Sequence, residues 1–242
     1  MVCGFFHFNK RGFTMSKIFN KITDTLKDSW EGLKEINLLE NIKDIFSQPL
    51  GILTIVALLI IILVLIRAKK IKFTPKLLAQ ISLMLALTII LDTFKIYRLP
   101  QGGSVTLGSM VPIFLLAFWY GPEVGMLTGL LFGVISLVLG PYLVHPVQLL
   151  LDYPLPYLVL GTAGFFRKNK FLGVSLGISL RFLCHLISGV VFFSEYAAEL
   201  GYSSALLYST VYNGSFLVIE TVICVIFLLL VPFERLAKAV EG

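Results

Sequence analysis

Residues 50–66 read LGILTIVALLIIILVLI, seventeen residues without one charge, and Arg67, Lys69, Lys70, Lys72 and Lys76 follow at once. A run of that length is at the short limit for a helix crossing a bilayer, which takes roughly 17–25 residues. The rest of the chain has the same character. Of 242 residues, 57% are hydrophobic and 14% charged, and the mean hydropathy is +0.90. Ordinary soluble domains hold roughly 45–50% apolar and about 25% charged residues. The composition excludes a water-soluble enzyme and a disordered chain. It also excludes a disulfide scaffold, since Cys184 and Cys224 lie in apolar runs and Cys3 is the only other cysteine. The formal charge of +6 comes from Lys and Arg in short clusters between apolar runs. That pattern is membrane topology, with no nucleic-acid partner.

Further apolar segments cover 76–96, 103–120, 122–140, 143–166, 171–193 and 204–232. Turn chemistry separates them: Pro100-Gln101-Gly102-Gly103, Gly121-Pro122, Gly140-Pro141, RKNK at 167–170 and Gly201. With 67–75 in the cytoplasm, alternation puts Arg167, Lys168, Lys170, Arg235 and Lys238 inside and leaves only Lys95 and Arg98 outside. The expected fold is therefore all-α, a polytopic membrane helical bundle of six core transmembrane helices, preceded by an extra hydrophobic helix and an amphipathic one. The domains are 1–49 (extension with the amphipathic helix), 50–75 (extra hydrophobic segment and basic linker) and 76–242 (six-helix substrate-binding domain). Over 15–46, Ile18, Ile22, Leu26, Trp30 and Leu33 recur at helical steps opposite Asp24, Lys27, Asp28 and Glu31. Such a helix lies in the membrane interface, packs on the remaining protein, or belongs to a partly ordered tail. Segment 50–66 either spans, which places the amphipathic helix outside, or is re-entrant, which places it inside. The N-terminus lacks a signal-peptide pattern, and Met1 and Met15 are alternative starts.

Ionisable groups inside a bilayer cost about 2.5–3.5 kcal/mol each on insertion scales, so they mark function by default. Asp152 lies in the fourth core helix, Arg181 and His185 in the fifth, Asn213 and Glu220 in the sixth. Counting from the outer helix ends at about 1.5 Å per residue, Asp152, His185 and Asn213 all sit roughly 12–14 Å below the outer surface. Three polar groups on successive helices at one depth predict a pocket in the outer half. Tyr142, Tyr153, Phe192, Phe193, Tyr208 and Tyr212 surround that level. Carboxylate, imidazole, amide and rings suit a flat cationic or nitrogen-rich heterocycle. Competing structural roles exist for each residue. Asn213 serves equally as interhelical glue, and His185 as a packing histidine. The tyrosines serve as interface anchors. Arg181 and Glu220 are expected to form a structural ion pair, with a proton relay as the alternative. His145, Gln148 and Asp152 share one helical face. No catalytic constellation, metal-ligand cluster or G-x-x-x-x-G-K-[ST] loop is present in the sequence, so ATP hydrolysis, where needed, falls to a partner.

The stretches PQGGSVTLGSMVPIF (100–114), HPVQLLLDYPL (145–155), RFLCHLISGVVFFSEYA (181–197) and LYSTVYNG (207–214) resemble the thiamine-specific substrate-binding (S) subunits of energy-coupling-factor (ECF) transporters. The resemblance covers residues 76–236 and omits 1–75. It implies a prokaryotic multi-pass cell-membrane protein, without cofactor and not an enzyme. Such a subunit captures thiamine from outside with high affinity. It then works with an ECF transmembrane coupling subunit and two ATPase subunits. The family's acidic ligand and its following Tyr fall on Asp152 and Tyr153, with Asp shorter than the Glu of some members. The family histidine falls on His185, and its stacking Trp on Phe193, a smaller ring. Further binding positions fall on Tyr142, Tyr208 and Asn213. The first outer loop, with Tyr97 and Gln101, corresponds to a lid and lacks a Trp that members carry. The small-xxx-small surface that meets the coupling module falls on Ser82 and Ala86, with Ser for the usual Ala; packing within this chain is the alternative. Two other functions fit the residues. One is an S subunit for another vitamin or a thiamine precursor. The other is a stand-alone proton-coupled vitamin transporter using Asp152, His185 and Glu220.

Overall fold

The structure is a computed structural model that describes residues 48–233, 235 and 236, and upstream residues 23, 24 and 27. Thr23, Asp24 and Lys27 are helical; the remainder of the amphipathic pattern over 15–46 lies outside the described residues. The chain divides into two units, Met1–Ile52 and Leu53–Gly242, and all the chemistry below belongs to the second.

The apolar run at 50–66 forms α1, Pro49–Ala68. Twenty residues at about 1.5 Å each give roughly 30 Å, the thickness of a hydrocarbon core. α1 buries one narrow stripe. Ala57 packs with Leu151, Leu155 and Cys184, and Val64 with Met126, Leu130 and Leu158. Leu59, Ile62, Leu63 and Ile66 face outward. It is one unbroken helix, long and apolar enough to cross a membrane, rather than the broken backbone of a re-entrant loop.

Thr74 caps α2, Pro75–Thr93, accepting from the Leu77 N–H at 3.1 Å. A hairpin follows. β1, Lys95–Arg98, pairs antiparallel with β2, Ser104–Thr106. The segment 103–120, expected as one helix, is helical only over α3, Val111–Tyr120. Gly102 and Gly108 adopt φ of 93° and 80°, a left-handed backbone that ends a helix and that glycine takes without penalty. α3 has ten residues, too few to cross a bilayer. Val111–Trp119 is buried throughout, so protein rather than lipid surrounds this helix on every side.

α4 is Pro122–Val138. The fourth expected span, 143–166, is three pieces: α5, Pro146–Asp152; α6, Pro154–Leu160; and a 3₁₀ stretch, Gly161–Phe166. Pro154 lacks an N–H, and Tyr153 before it turns to φ −121°, ψ −80°. α7, Lys170–Phe192, α8, Ser194–Glu199, and α9, Ala205–Leu230, follow. Among the described residues, five helical stretches are long and apolar enough to span a membrane, with α3 and α4 shorter. The bundle keeps the six expected core segments and adds a β-hairpin that the apolar pattern did not signal.

Glycines set the closest approaches. A methyl on Gly129 would lie 2.0 Å from the Tyr157 carbonyl oxygen, and one on Gly125 would lie 2.5 Å from Ala117 Cβ. One on Gly133 would lie 2.6 Å from Pro154 Cα. These three stand four residues apart on one face of α4, a small-xxx-small stripe that brings α3 and α6 against it.

Candidate ligand-binding site

At the end of the bundle where α2 stops and α9 starts, a cavity of about 550 Å³ opens. That volume lies within the range typical of small-molecule sites, roughly 300–1,000 Å³. Asp152, Tyr153, His185, Phe193, Tyr208, Asn213 and Tyr142 all line it. Four separate segments supply them: the α5–α6 break, α7, α9 and the loop after α4.

Asp152 occupies the last position of α5. One carboxylate oxygen lies 3.1 Å from His185 Nδ1, and the other accepts from Gln148 Nε2 at 2.6 Å. With the Nδ1–H turned to the carboxylate, Nε2 of a neutral ring is an acceptor. Among the described residues none meets that Nε2. Gln148 also bonds the Tyr142 carbonyl at 3.0 Å and the Val144 N–H at 3.1 Å. It is therefore the link that fixes both the carboxylate and the 142–144 loop. Sequence reasoning placed Gln148 on the Asp152 face without giving it a role; the i, i+4 spacing was the available signal. His145, on the same face by spacing, turns away. Its Nδ1 caps α5 by accepting from the Val147 N–H, and its ring stacks on Phe192 at 5.2 Å. Neither ring lines the cavity.

The rings form a second wall. Phe193 lies 6.0 Å from Tyr142 and 6.2 Å from Tyr196, tilted about 30° to each. Tyr208 lies 5.7 Å from Tyr212, and the Tyr153 hydroxyl accepts from the Tyr142 N–H at 2.7 Å. Hydroxyl contact with Tyr196 raises the Tyr142 phenol above its ordinary range.

Asn213 bridges helices. Its amide donates to the His185 carbonyl at 3.2 Å and to the Ser209 carbonyl at 2.9 Å. The glue role and the lining role thus coincide in one side chain. Arg181 and Glu220 do not pair. Glu220 accepts the Thr106 N–H at 2.6 Å and the Thr106 hydroxyl, so its charge is spent on β2. Arg181 lies over the Tyr157 ring, 4.4 Å from the centroid, with a long 3.5 Å contact to its hydroxyl. The expected ion pair fails because a nearer backbone donor reaches the carboxylate first.

The hairpin supplies part of the cavity lining, and one stripe of α9 holds it. Tyr208, Tyr212, Phe216 and Glu220 stand four residues apart on α9. Tyr208 donates to Gln101 at 3.5 Å. Tyr212 donates to the Pro100 carbonyl and accepts the Gly103 N–H at 3.0 Å. Phe216 packs on Val105, and Glu220 anchors Thr106. Gln101 itself has φ 58°, a left-handed residue at the hairpin tip, and lines the cavity. Tyr97 does not; it lies on β1, 59% exposed and outside the lining. Ser82 and Ala86 lie on the exposed face of α2, away from the cavity. Among the described residues no three His, Cys, Asp or Glu side chains gather as a metal site would need.

Fold and site define a class: a multi-pass helical membrane protein with a ligand cavity, lined by acid and aromatic rings, at one end of its bundle. Comparison with known proteins gives the family. Residues 78–240 match the thiamine transporter protein family. The chain is 36% identical over 183 residues to the thiamine transporter ThiT of Bacillus subtilis, covering 67% of this chain and 94% of that one. It is 28% identical over 155 residues to ThiT of Lacticaseibacillus paracasei, covering 55% and 76%. The solved structure of ThiT from Listeria monocytogenes shares the fold, with a TM-score of 0.53 at 21% identity over 68% of this chain and 93% of that chain. This chain belongs to the thiamine transporter protein family.

Proposed function

We propose that this protein captures thiamine from outside the cell as the S subunit of an ECF-type importer. An ECF transmembrane coupling subunit and two ATPase subunits would then drive release inside. The observation that carries the reading is the Asp152–His185 contact at 3.1 Å inside a ring-lined cavity, in a chain of this family. A carboxylate oxygen holds more than one acceptor site, so Asp152 can take an aminopyrimidine N–H while keeping His185 and Gln148. Its charge also offsets the thiazolium. Phe193, Tyr142 and Tyr208 offer π faces to the cation, each worth about 0.5–2 kcal/mol depending on desolvation. Tyr153 and Asn213 hold the walls, and Gln101 sits over the mouth. Calorimetry on protein purified from thiamine-starved cells tests this: tight one-to-one binding without partners is expected. A folded protein that ignores thiamine and takes hydroxymethylpyrimidine, or another vitamin, moves the assignment within the class. Uptake by this chain alone, abolished by a protonophore, supports the proton-coupled alternative.

Tyr212→Phe deletes the hydroxyl that holds the hairpin tip at Pro100 and Gly103. The hydroxyl makes two hydrogen bonds, each contributing about 0.5–1.5 kcal/mol net, so thiamine should dissociate roughly 5- to 150-fold faster, with association little changed. Stopped-flow release against excess unlabelled ligand reads this, and an unchanged off-rate removes the latch role.

Ser82 and Ala86 leave a shallow exposed surface on α2 where a partner helix can approach closely. Ser82→Leu/Ala86→Leu should leave thiamine affinity intact while abolishing co-purification with the coupling subunit and uptake by cells. Retained co-purification would mean the partner docks elsewhere.

A further inference from the structure

A second hollow, of about 520 Å³, lies at the opposite end of the bundle. Lys70, Lys72 and Thr74 wall it from the link between α1 and α2, Lys76 from the first turn of α2, and Tyr120 and Glu123 from the turn between α3 and α4. Each of these segments is a helix end: α1 stops at Ala68, α2 starts at Pro75, α3 stops at Tyr120 and α4 starts at Pro122. The hollow therefore sits where hydrocarbon gives way to headgroups. The positive-inside pattern puts this end in the cytoplasm.

Its charge is unbalanced. Three ammonium groups face one carboxylate, and among the described residues none of the four forms an ion pair. Three like charges around one hollow repel one another until a counter-charge enters. The N-terminal end of the nineteen-residue α2 adds partial positive charge on the same side. Within the adjoining spans, Ile66 on α1 and Leu78 on α2 are exposed apolar side chains, a surface for acyl chains.

We propose that this hollow binds the phosphodiester headgroup of an anionic phospholipid of the inner leaflet, with Lys70, Lys72 and Lys76 as its ligands. A lysine ammonium pairs with phosphate oxygens as a mobile point charge. Basic pockets between spans on the cytoplasmic side are suited to anionic headgroups. The apolar flank and the depth favour a lipid over a soluble anion, which would gain nothing from either. Lys70 and Lys72 stand upstream of the family-matched residues 78–240, so the extra span and its linker build one wall of the site. The proposal uses no residue of the ligand cavity and stands whether or not thiamine is the ligand.

The test uses the full chain in detergent, with native mass spectrometry and thermal unfolding in added phosphatidylglycerol or phosphatidylcholine. One retained phosphatidylglycerol and a rise in Tm specific to that lipid are expected. Lys70→Gln/Lys72→Gln/Lys76→Gln should weaken its retention at least tenfold. A control that removes three charges elsewhere, Lys69→Gln/Lys168→Gln/Arg235→Gln, should keep it. Should the cleft triple fail to fold, Lys76→Gln alone is compared with Lys168→Gln. Equal loss in the cleft and control variants overturns the site in favour of a diffuse basic surface. Equal retention of phosphatidylcholine overturns the headgroup role. Equal protection by inorganic phosphate assigns a soluble anion instead, and retention only alongside a co-purified protein assigns a protein contact.

Discussion

Replacing Asp152 by Asn is expected to weaken thiamine binding by two to three orders of magnitude while leaving the protein folded. Asn is nearly isosteric and can still meet Gln148, so packing changes little. The charge that offsets the ligand cation is lost. The amide also turns a donor toward one of the two groups, His185 Nδ1 or Gln148 Nε2, that now donate to the carboxylate. Truncating one partner of a desolvated charge pair costs about 2–5 kcal/mol, and about 1.4 kcal/mol is tenfold in Kd. Calorimetry on both proteins reads the difference directly. Oxythiamine, which carries a ring carbonyl where thiamine has its amine, should lose much less affinity, because an amide can serve that acceptor. Undiminished thiamine binding by the variant would remove Asp152 from the site.

Gly129→Ala is expected to be among the most damaging single methyls in the bundle. The added Cβ would lie 2.0 Å from the Tyr157 carbonyl oxygen and 2.6 Å from its carbon. Both are backbone atoms, so no rotamer change relieves the clash, and α4 must move off α6. Overpacking typically costs about 1–3 kcal/mol and more where neighbours cannot yield; a loss at or above the upper end is expected. Tyr157 also supports Arg181, so cavity and stability should suffer together. Gly214 is the control. It is helical, and a methyl there meets nothing within 4 Å. Gly214→Ala should be neutral or gain about 0.4–1 kcal/mol through reduced unfolded-state freedom. Thermal unfolding in one detergent, with yield in the membrane fraction, ranks the two. Equal Tm for Gly129→Ala and the parent would show that α4 and α6 are not held this close.

Much of this was legible beforehand because it depends on local pattern. The absence of charge over 50–66 marked a hydrophobic segment, and Pro146 and Pro154 stand where the two short helices of the fourth segment begin. Helical rise alone put Asp152, His185 and Asn213 at one depth, and they line one cavity. The stripe Gly125, Gly129, Gly133 carries small-xxx-small spacing in the sequence itself. Gln148 was seen at the right spacing but without its partners.

Apolar runs and residue spacing determined from the sequence alone that the chain is a multi-pass helical bundle and which polar groups share a level. Each of these depends on neighbours within a few turns. The tertiary structure alone decided that Glu220 meets Thr106 rather than Arg181, 114 residues apart. It also decided that Tyr212 reaches the hairpin tip across 112 residues, and that 103–110 turns and pairs instead of extending α3. A buried carboxylate takes whichever donor the packed bundle brings nearest. An apolar segment forms a short helix when other helices, not lipid, cover it. Both outcomes depend on distances that exist only once the helices have packed.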